Sequence, residues 1–402
     1  MKYSKDEVLQ FISEEDVKFV RLSFCDVFGN LKNIAVVASE LPRAFESGIA
    51  FDASSIAGFG DEARSDLFLW PEPDTLSLLP WRPEHGRVVK MFCQIRKPDG
   101  APFENDPRLV LLRAVDYARS AGFKFTIGSE QEFYLFKADQ FDMPTNLPYD
   151  SAGYMDVYPE DRGENIRREI CLTLEQMGFR PESSHHEEGP GQNEVDFRFS
   201  DPLAAADNTI AFRQVVKTIA RRNGLYANFG AKPLDGKPGN GFHVNISLEP
   251  APGAREIGYI VGGILDKLEE ITLFLNPTEC SYKRLGKLKA PRYVAWSNEN
   301  RSEAVRIPAA QGEFRRAELR SPDPSANPYL VFALLIYAAV DGLEKKMEPP
   351  EPADLNLYKA SAEVLAKFRK LPEDLNYARA LAKSSGFVRQ KLPRDIIEAY
   401  CR

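Results

Sequence analysis

The stretch FTIGSEQEFYLF, Phe125–Phe136, is so rich in β-forming residues that it predicts a buried strand. Glu130 and Glu132 are two residues apart, so both carboxylates point from the same face of that strand. Burying two like charges roughly 6 to 7 Å apart costs several kcal/mol per unpaired ion, so a positive group must lie beside them. Divalent cations fit this requirement, and so do arginines on a neighbouring strand; the segment alone leaves both interpretations open.

Three other runs repeat this alternation of polar and apolar residues: NEVDFRF (Asn193–Phe199), FHVNISL (Phe242–Leu248) and FRRAELR (Phe314–Arg320). Their polar positions are Glu194, Asp196, Arg198, His243, Asn245, Ser247, Arg316, Glu318 and Arg320. An ordinary half-exposed antiparallel sheet also alternates in this way, and any single strand fits that alternative. Four strands that jointly offer glutamates, a histidine and arginines instead indicate the floor of a binding site.

The residue types on these strands indicate the chemistry of the site. Several glutamate oxygens with one imidazole suit Mg²⁺ or Mn²⁺ better than zinc, which prefers thiolates or several histidines. His85, His185 and His186 have no comparable setting and are predicted to be surface or structural residues. Arginine binds carboxylates and phosphates bidentately, and five arginines fall near the later strands: Arg284, Arg301, Arg306, Arg316 and Arg320. A polyanion held by two metal ions and arginines describes phosphoryl transfer, although no Walker A or kinase-type motif is present.

Composition narrows the class of protein. The chain has 402 residues and a formal charge of −7, which argues against nucleic acid or an anionic membrane as the main partner. Its five cysteines show no C-x-x-C spacing, so neither a disulfide framework nor a zinc knuckle is indicated. No apolar stretch reaches the length of a membrane span, and we expect a cytoplasmic protein.

The order of predicted elements indicates two domains. Up to about Asp99 the chain reads as short strands, with a hairpin in Val17–Val37 that turns at Phe28–Asn30. The Pro- and Gly-rich loop Lys97–Arg108 marks the boundary. Beyond it, helices and strands mix without the regular alternation of a βαβ protein. The predicted helices lie at about 107–120, 164–177, 202–222, 255–275 and 328–346.

Seven blocks, in order along the chain, resemble the type I glutamine synthetase family. They are FDASSIAGF (Phe51–Phe59), GSEQEF (Gly128–Phe133), HHEEGPGQNEVDF (His185–Phe197), GNGFHVNISL (Gly239–Leu248), NPTECSYKRL (Asn276–Leu285), NRSEAVRIP (Asn300–Pro308) and ELRSPDPSANPYL (Glu318–Leu330). The resemblance implies an α+β fold, with a small N-terminal β-grasp domain over residues 1–100 and a larger catalytic domain over residues 101–402. It also implies an ATP-dependent ligase that forms an amide on the γ-carboxylate of L-glutamate through a γ-glutamyl phosphate, with ammonia as the acceptor.

The resemblance assigns roles to individual residues. Glu132, Glu187 and Glu194 match the ligands of one metal ion, Mg²⁺ or Mn²⁺, and Glu130, His243 and Glu318 those of the second. Arg284, Arg320 and Gly239 match glutamate-binding positions, and the ATP-binding positions correspond to Phe199, Asn245, Ser247, Arg301, Arg306 and Arg316. Asp52 resembles the base that deprotonates ammonium, in a site completed by Ser55, Tyr154 and Glu187. In the family a neighbouring subunit supplies Asp52, so a ring of six or twelve subunits is expected.

Three features depart from the family pattern. In the flap YKRLGKLKAP (Tyr282–Pro291) the loop is one residue short, and Lys289 stands where the family has a glutamate that closes over ammonium. Pro238 replaces an asparagine that contacts glutamate, and it has no amide to donate. The chain also stops at Arg402, short of a C-terminal tail that joins two rings in many members.

These departures leave the acceptor open. One alternative is a ligase that joins glutamate to a larger primary amine, such as an alkylamine, ethanolamine or a polyamine. Another is a non-catalytic homologue that acts as a regulator, which degraded metal ligands would favour, whereas none is degraded. Two positions concern regulation: Asp61 stands where feedback-inhibited relatives often have arginine, and Tyr358 lies near a tyrosine that some relatives adenylylate but is expected to be an ordinary exposed residue.

Overall fold

A computed structural model describes residues 3–60, 63 and 65–402 of the chain. Asp61 lies outside the described residues. The chain divides into two compact units, residues 1–110 with 172–179 and residues 111–171 with 180–402. The predicted boundary at residue 100 stays a prediction.

The first unit is built on one mixed sheet. Its strands are β1 (Val17–Cys25), β2 (Leu31–Val37), β3 (Ile49–Asp52), β4 (Asp66–Pro71), β5 (Ser77–Leu78) and β6 (Arg87–Arg96), and its helices are α1 (Lys5–Glu14) and α2 (Leu41–Ser47). The strand order is β2-β1-β6-β4-β3, with β5 paired to β6. β1 and β2 form the predicted hairpin, and its turn contains Gly29 at a φ of 81°, a conformation that glycine adopts without strain. Asp52 is the last residue of β3.

The second unit holds a larger sheet. Its strands are β7 (Phe125–Ala138), β8 (Pro144–Pro148), β9 (Pro181–His186), β10 (Gln192–Phe197), β11 (Leu225–Asn228), β12 (Phe242–Leu248), β13 (Trp296–Asn298), β14 (Val305–Ile307) and β15 (Ala317–Leu319). The order is β13-β14-β15-β12-β7-β10-β9, and β8 and β11 pair with β7 outside this path. β7 is 14 residues long and therefore joins most of the sheet.

In the part of the chain that the structure describes, ten helices accompany these strands, wholly or for most of their length in the second unit. They are α3 (Pro107–Ser120), α4 (Glu164–Gln176), α5 (Pro202–Arg222), α6 (Ala254–Leu275), α7 (Glu279–Arg284), α8 (Pro328–Lys345), α9 (Ala362–Leu365), α10 (Leu375–Ser384), α11 (Gly386–Lys391) and α12 (Arg394–Tyr400). The five predicted helices are confirmed to within one residue at each end. No helix in the described part of the chain is both long and apolar enough to cross a membrane.

The sheet has one apolar and one polar face, as the alternation predicts. Phe133 of β7 packs edge-on against Phe212 of α5, and Phe242 of β12 packs against Phe332 of α8. These phenylalanines have the opposite parity to Glu130 and Glu132 in β7 and to His243 in β12. The helices therefore cover the apolar face, and the acidic side chains project from the other.

The run FRRAELR differs from its prediction as a full strand. Only Ala317–Leu319 pairs as β15, and residues 312–314 form a short 3₁₀ turn. In the β12–β15 ladder, Val244 lies opposite Leu319 and Ile246 lies opposite Ala317. Beyond this ladder, the next contact is made by a side chain, because the Ser247 hydroxyl donates to the Arg315 carbonyl. Arg316, one residue before β15, nevertheless contacts the polar face, since its Nε donates to Asn245 Oδ1 at 2.8 Å.

Candidate active site

Three neighbouring strands set the acidic residues in register. In the β7–β12 ladder Glu130 lies opposite His243. In the β7–β10 ladder Glu132 lies opposite Glu194, and Glu130 lies opposite Asp196. Because directly opposite residues share a face of the sheet, all five side chains project into one space. The strands themselves therefore assemble the cluster.

His243 lies among three carboxylates. Its Nδ1 is 3.3 Å from Glu130 Oε2 and 3.9 Å from Glu318 Oε1, and its Nε2 is 3.9 Å from Glu132 Oε1. Within the described residues, the basic side chain within 4 Å of both Glu130 and Glu132 is His243, and no arginine or lysine lies that close to either. The arginine alternative left open by the sequence is thus not what the structure shows for this pair.

Ligand atoms of this cluster converge to within 4.8 Å of one another in four sets. The sets are Glu130–His243–Glu318, Glu132–Glu194–His243, His185–Glu187–Glu194 and Glu130–Glu194–Asp196. Carboxylate oxygens dominate each set and imidazole is the other donor, which fits Mg²⁺ or Mn²⁺. In a fifth set, Asp150–Asp161–His186, the side chains are already paired: His186 Nε2 lies 2.9 Å from Asp150 Oδ1, and Asp161 Oδ1 accepts from Arg167 Nη1 at 3.1 Å.

The buried carboxylates of the cluster require a positive charge beside them. Burial raises the pKa of Glu194 well above its usual range, and the charges of Asp196, Glu132 and Glu130 add to the increase. Burial and the Glu130 charge likewise raise the pKa of Asp196 to about 6. Burial also acts to raise the pKa of Glu130, but hydrogen bonds from His243 and from the Asn245 amide outweigh it and lower this pKa to about 2. Several carboxylates therefore compete for positive charge, which bound metal ions would supply.

Glu318 joins the cluster to the arginines. It is fully buried, accepts hydrogen bonds from Arg306 Nε at 2.8 Å and Arg320 Nη1 at 2.7 Å, and forms an ion pair with each. The buried Arg320 Nε has no hydrogen-bond partner among the described residues. Arg284 is buried and donates to the Ser321 carbonyl at 2.8 Å. A carboxylate ligand would satisfy such donors.

Two glycines, Gly239 and Gly241, allow Arg284 to lie close to the acidic cluster. A Cβ on Gly239 would lie 2.4 Å from the Ala231 carbonyl oxygen and 2.9 Å from Arg284 Cγ. A Cβ on Gly241 would lie 2.6 Å from His243 Nε2 and 3.0 Å from Glu132 Oε1. Larger residues at these positions would displace the cluster.

A cavity of about 350 Å³ opens at the Glu130 end of the cluster. Residues that line it include Phe199, Asn245, Ser247, Arg316, Phe314 and Asp196. Asn245 Nδ2 donates to Glu130 Oε1 at 2.7 Å, and Arg316 Nε donates to Asn245 Oδ1 at 2.8 Å. An aromatic wall, an arginine and the acidic cluster at one end match what a nucleotide with its metal-bound phosphates requires.

The other end of the cluster carries Glu187 and Tyr154. Glu187 Oε1 is 2.9 Å from His185 Nε2, and the rings of Tyr154 and His185 meet edge-on at 5.5 Å. Lys289 forms an ion pair with Glu188, and its ammonium group lies 5.8 Å from the centroid of the Tyr154 ring. The flap is therefore tied to the turn that follows Glu187.

The remaining predicted residues lie outside this cluster. Asp52 and Ser55 belong to the first unit, where both are exposed and Asp52 Oδ1 accepts the Ser54 N–H at 2.8 Å. Arg301 is exposed on the loop between β13 and β14, and its charge acts on Tyr154 and Arg306. Tyr358 is exposed, as expected, and its hydroxyl donates to the Arg301 carbonyl at 3.3 Å.

Sequence reasoning missed three residues of the cluster. Asp196 is on the predicted polar face but has no predicted role, and His185 is predicted to be a surface or structural residue although it contacts Glu187. Gln192 Nε2 donates to Glu132 Oε2 at 2.9 Å, and it has the same parity in β10 as Glu194. Extending the parity rule to every residue of β10 would also have found Gln192, whereas His185 required the β9–β10 register.

Two family models match the chain. The β-grasp domain of glutamine synthetase matches residues 16–98, and the catalytic domain of glutamine synthetase matches residues 104–402. These matches confirm the predicted fold class, a small β-grasp domain followed by a larger α+β catalytic domain.

Relatives and solved structures agree with the family models. The chain is similar to glutamine synthetase of Methanosarcina mazei, with 43% identity over 99% of this chain and 92% of the relative. It is 44% identical to that of Clostridium saccharobutylicum, over 89% and 84% of the two chains, and 40% identical to that of Staphylococcus aureus strain MW2, over 99% and 93%. A GmaS/ADP complex superposes with a TM-score of 0.89 at 27% identity, covering 98% of this chain and 94% of that one. The ligand-free form of GmaS gives 0.87, covering 98% and 93%.

Proposed function

Because the chain belongs to the glutamine synthetase family, we propose that it is an ATP-dependent ligase that makes glutamine from L-glutamate and ammonia. The γ-phosphoryl group of ATP passes to the γ-carboxylate of glutamate, and ADP leaves. Ammonia then attacks the acyl phosphate, a C–N bond forms, and phosphate leaves. One observation carries the proposal: an acidic cluster with a nucleotide-sized cavity at one end and buried arginines at the other.

The cluster would hold two divalent ions. Glu130, His243 and Glu318 converge as one ligand set, and Glu132, Glu187 and Glu194 are the proposed second set, whose members fall in two overlapping groups. Bound Mg²⁺ or Mn²⁺ would neutralise charge on the phosphates and the glutamate carboxylate during transfer.

The residues of the chain would position both substrates. In the cavity, Phe199 offers a ring to the base, while Asn245 and Ser247 line the wall and Arg316 faces the phosphates. At the opposite end, Arg320 has a buried donor free to bind a carboxylate of glutamate, with Arg284 beside it. Because ATP would enter at one end of the cluster and the acceptor at the other, the γ-carboxylate of glutamate would be phosphorylated between them.

The acceptor must lose a proton before it attacks. We assign that role to Asp52 of a neighbouring subunit in a ring, with Ser55, Tyr154 and Glu187 completing the ammonium site. The Asp52 carboxylate is exposed, and hydrogen bonds from Ser54 lower its pKa, so it is ionised at neutral pH and able to accept a proton.

A ligase that uses a larger primary amine is the second candidate, and Lys289 is the observation that favours it. The Lys289 ammonium group lies beside Tyr154, where it would repel any protonated amine; a larger amine can offset this repulsion by packing its hydrocarbon part, and ammonium cannot. Phosphate release with ATP, Mg²⁺ and glutamate should be measured against ammonium, methylamine, ethylamine, ethanolamine and putrescine. Turnover with an alkylamine and none with ammonium would overturn the first candidate in favour of the second.

Substituting Lys289→Glu should lower the KM for ammonium by roughly threefold to tenfold, because the change replaces a repelling charge with an attracting one. The KM values for ATP and glutamate should stay as in the wild type. Lys287→Glu is the matched control, since Lys287 is an exposed lysine of the same flap two residues away. Equal ammonium KM values in the wild type and both variants would show that Lys289 does not act on the acceptor.

A further inference from the structure

A buried carboxyl group lies in the loop that carries Arg301. Glu303 has no exposed surface, and its Oε1 accepts hydrogen bonds from Asn300 Nδ2 at 3.0 Å and from Ser302 Oγ at 2.9 Å. Its Oε2 is also buried and has no hydrogen-bond partner within the described residues. A buried carboxyl group without a counter-ion is costly to ionise. Glu303 is therefore unlike an ordinary surface glutamate.

The same loop is fastened to a second segment, residues 353–358. The Leu357 N–H donates to Ser302 Oγ at 2.9 Å, so the hydroxyl that supports Glu303 also holds this segment. The Tyr358 hydroxyl donates to the Arg301 carbonyl at 3.3 Å. The backbone on both sides of the Arg301 side chain thus depends on a network that ends in the Glu303 carboxyl group.

We propose that Glu303 is a positioning residue for Arg301, holding Asn300 and Ser302 in the arrangement that docks the loop on residues 353–358. The inference rests on the proposed function, in which Arg301 contacts the ATP phosphates or the transferred group. The Arg301 guanidinium already lies close enough to Tyr154 and Arg306 to act on their charges. Its exposed position means that the backbone of the loop, rather than side-chain packing, sets where it points.

The protonation state of Glu303 should control this network. Burial raises the pKa of Glu303 to about 7; hydrogen bonding to Ser302 offsets part of the increase, and the Asp354 charge adds to it. Burial also raises the pKa of Tyr358 to about 12, so that group stays neutral near pH 7. The charged or titratable groups on the surrounding elements are Arg301 on the loop, Asp354 and Tyr358 on the second segment, Arg306 on β14 and Arg320 directly after β15.

The direction of the effect follows from this shift. The neutral acid accepts the bonds from Asn300 and Ser302 at no charge cost, whereas the ionised form places an unpaired negative charge beneath the loop. The folded protein keeps a proton on Glu303 that the unfolded chain releases near its ordinary value of 4.5. Stability from this group therefore falls as pH rises from about 4.5 to about 7, and Arg301-dependent turnover should fall as Glu303 ionises.

The test compares the wild type with Glu303→Gln, which has the shape of the neutral acid and cannot ionise. The kcat for phosphate release with ATP, Mg²⁺, glutamate and ammonium is measured from pH 6 to pH 8.5. We expect the ratio of the Glu303→Gln kcat to the wild-type kcat to rise roughly fivefold or more across this range. The Tm of Glu303→Gln relative to the wild type should rise over the lower part of the same range.

Glu299→Gln is the matched control, because it removes the same charge from an exposed position of the same loop. Its kcat ratio to the wild type should stay constant with pH. A constant ratio for Glu303→Gln as well, with parallel Tm curves, would overturn the positioning role. A wild type that releases no phosphate in a glutamate-dependent manner would instead refute the proposed function itself.

Discussion

Replacing Glu318 with alanine should abolish turnover, with kcat falling by roughly 10²- to 10³-fold or more. Glu318 is fully buried and lies at the meeting point of His243, Arg306 and Arg320. Its loss would remove a proposed metal ligand and leave two arginine charges without their partner. Both effects act on the groups that would neutralise charge during phosphoryl transfer, so a large loss is expected in kcat. Binding of Mn²⁺ should also weaken, and electron paramagnetic resonance titration would measure that directly.

Loss of folding would imitate this result, so stability has to be measured beside activity. Breaking a buried ion pair costs about 3 to 5 kcal/mol, and Glu318→Ala breaks two. Glu318→Gln keeps the size of the side chain and one of its two acceptor oxygens, and it removes the charge. We expect this variant to keep more of its thermal stability than Glu318→Ala while losing activity and Mn²⁺ binding. Glu348→Ala, at an exposed glutamate after α8, is the control. A folded Glu318→Ala protein with wild-type kcat would contradict the metal assignment.

The period of two along four strands was enough to predict the acidic face. Glu130, Glu132, Glu194 and His243 share that face because strand geometry leaves no other choice once the opposite residues are buried in the core. The five helices were equally readable, because each shows a regular apolar pattern bounded by proline or glycine.

What the sequence left out depends on which strands become neighbours. His185 contacts Glu187 only because β9 pairs with β10, and no local pattern in PESSHH announces that register. The setting of Glu303 was also hidden, because its burial depends on residues 353–358, about fifty positions later in the chain. Tertiary partners decide such features, and local preference does not encode them.

Substituting Asp52→Asn should separate the two halves of the reaction. Glutamate-dependent phosphoryl transfer should persist, because Asp52 is not among the residues proposed to hold ATP, metal ions or glutamate. Glutamine formation should fall by roughly 10²- to 10⁴-fold, because an amide cannot take the proton from ammonium. The measurement is glutamine produced against phosphate released, since an acyl phosphate that meets no amine is hydrolysed. Asp66→Asn is the control, at the exposed position opposite Asp52 in the β3–β4 ladder. Equal loss of phosphate release and of glutamine would show that Asp52 acts before the acceptor step.

Mixing two inactive variants tests whether Asp52 acts across a subunit boundary. In the proposed ring, each site takes Glu318 from its own subunit and Asp52 from the neighbouring one. When the first subunit is Asp52→Asn and its neighbour is Glu318→Ala, that site therefore has both residues intact. In randomly mixed rings at a ratio of one to one, about one quarter of the sites have this composition, so about one quarter of wild-type glutamine synthesis should return. Separately purified variants mixed without subunit exchange should stay inactive. Exchanged rings that also stay inactive would place Asp52 and Glu318 of one site on the same chain, and the active site would then not need the ring.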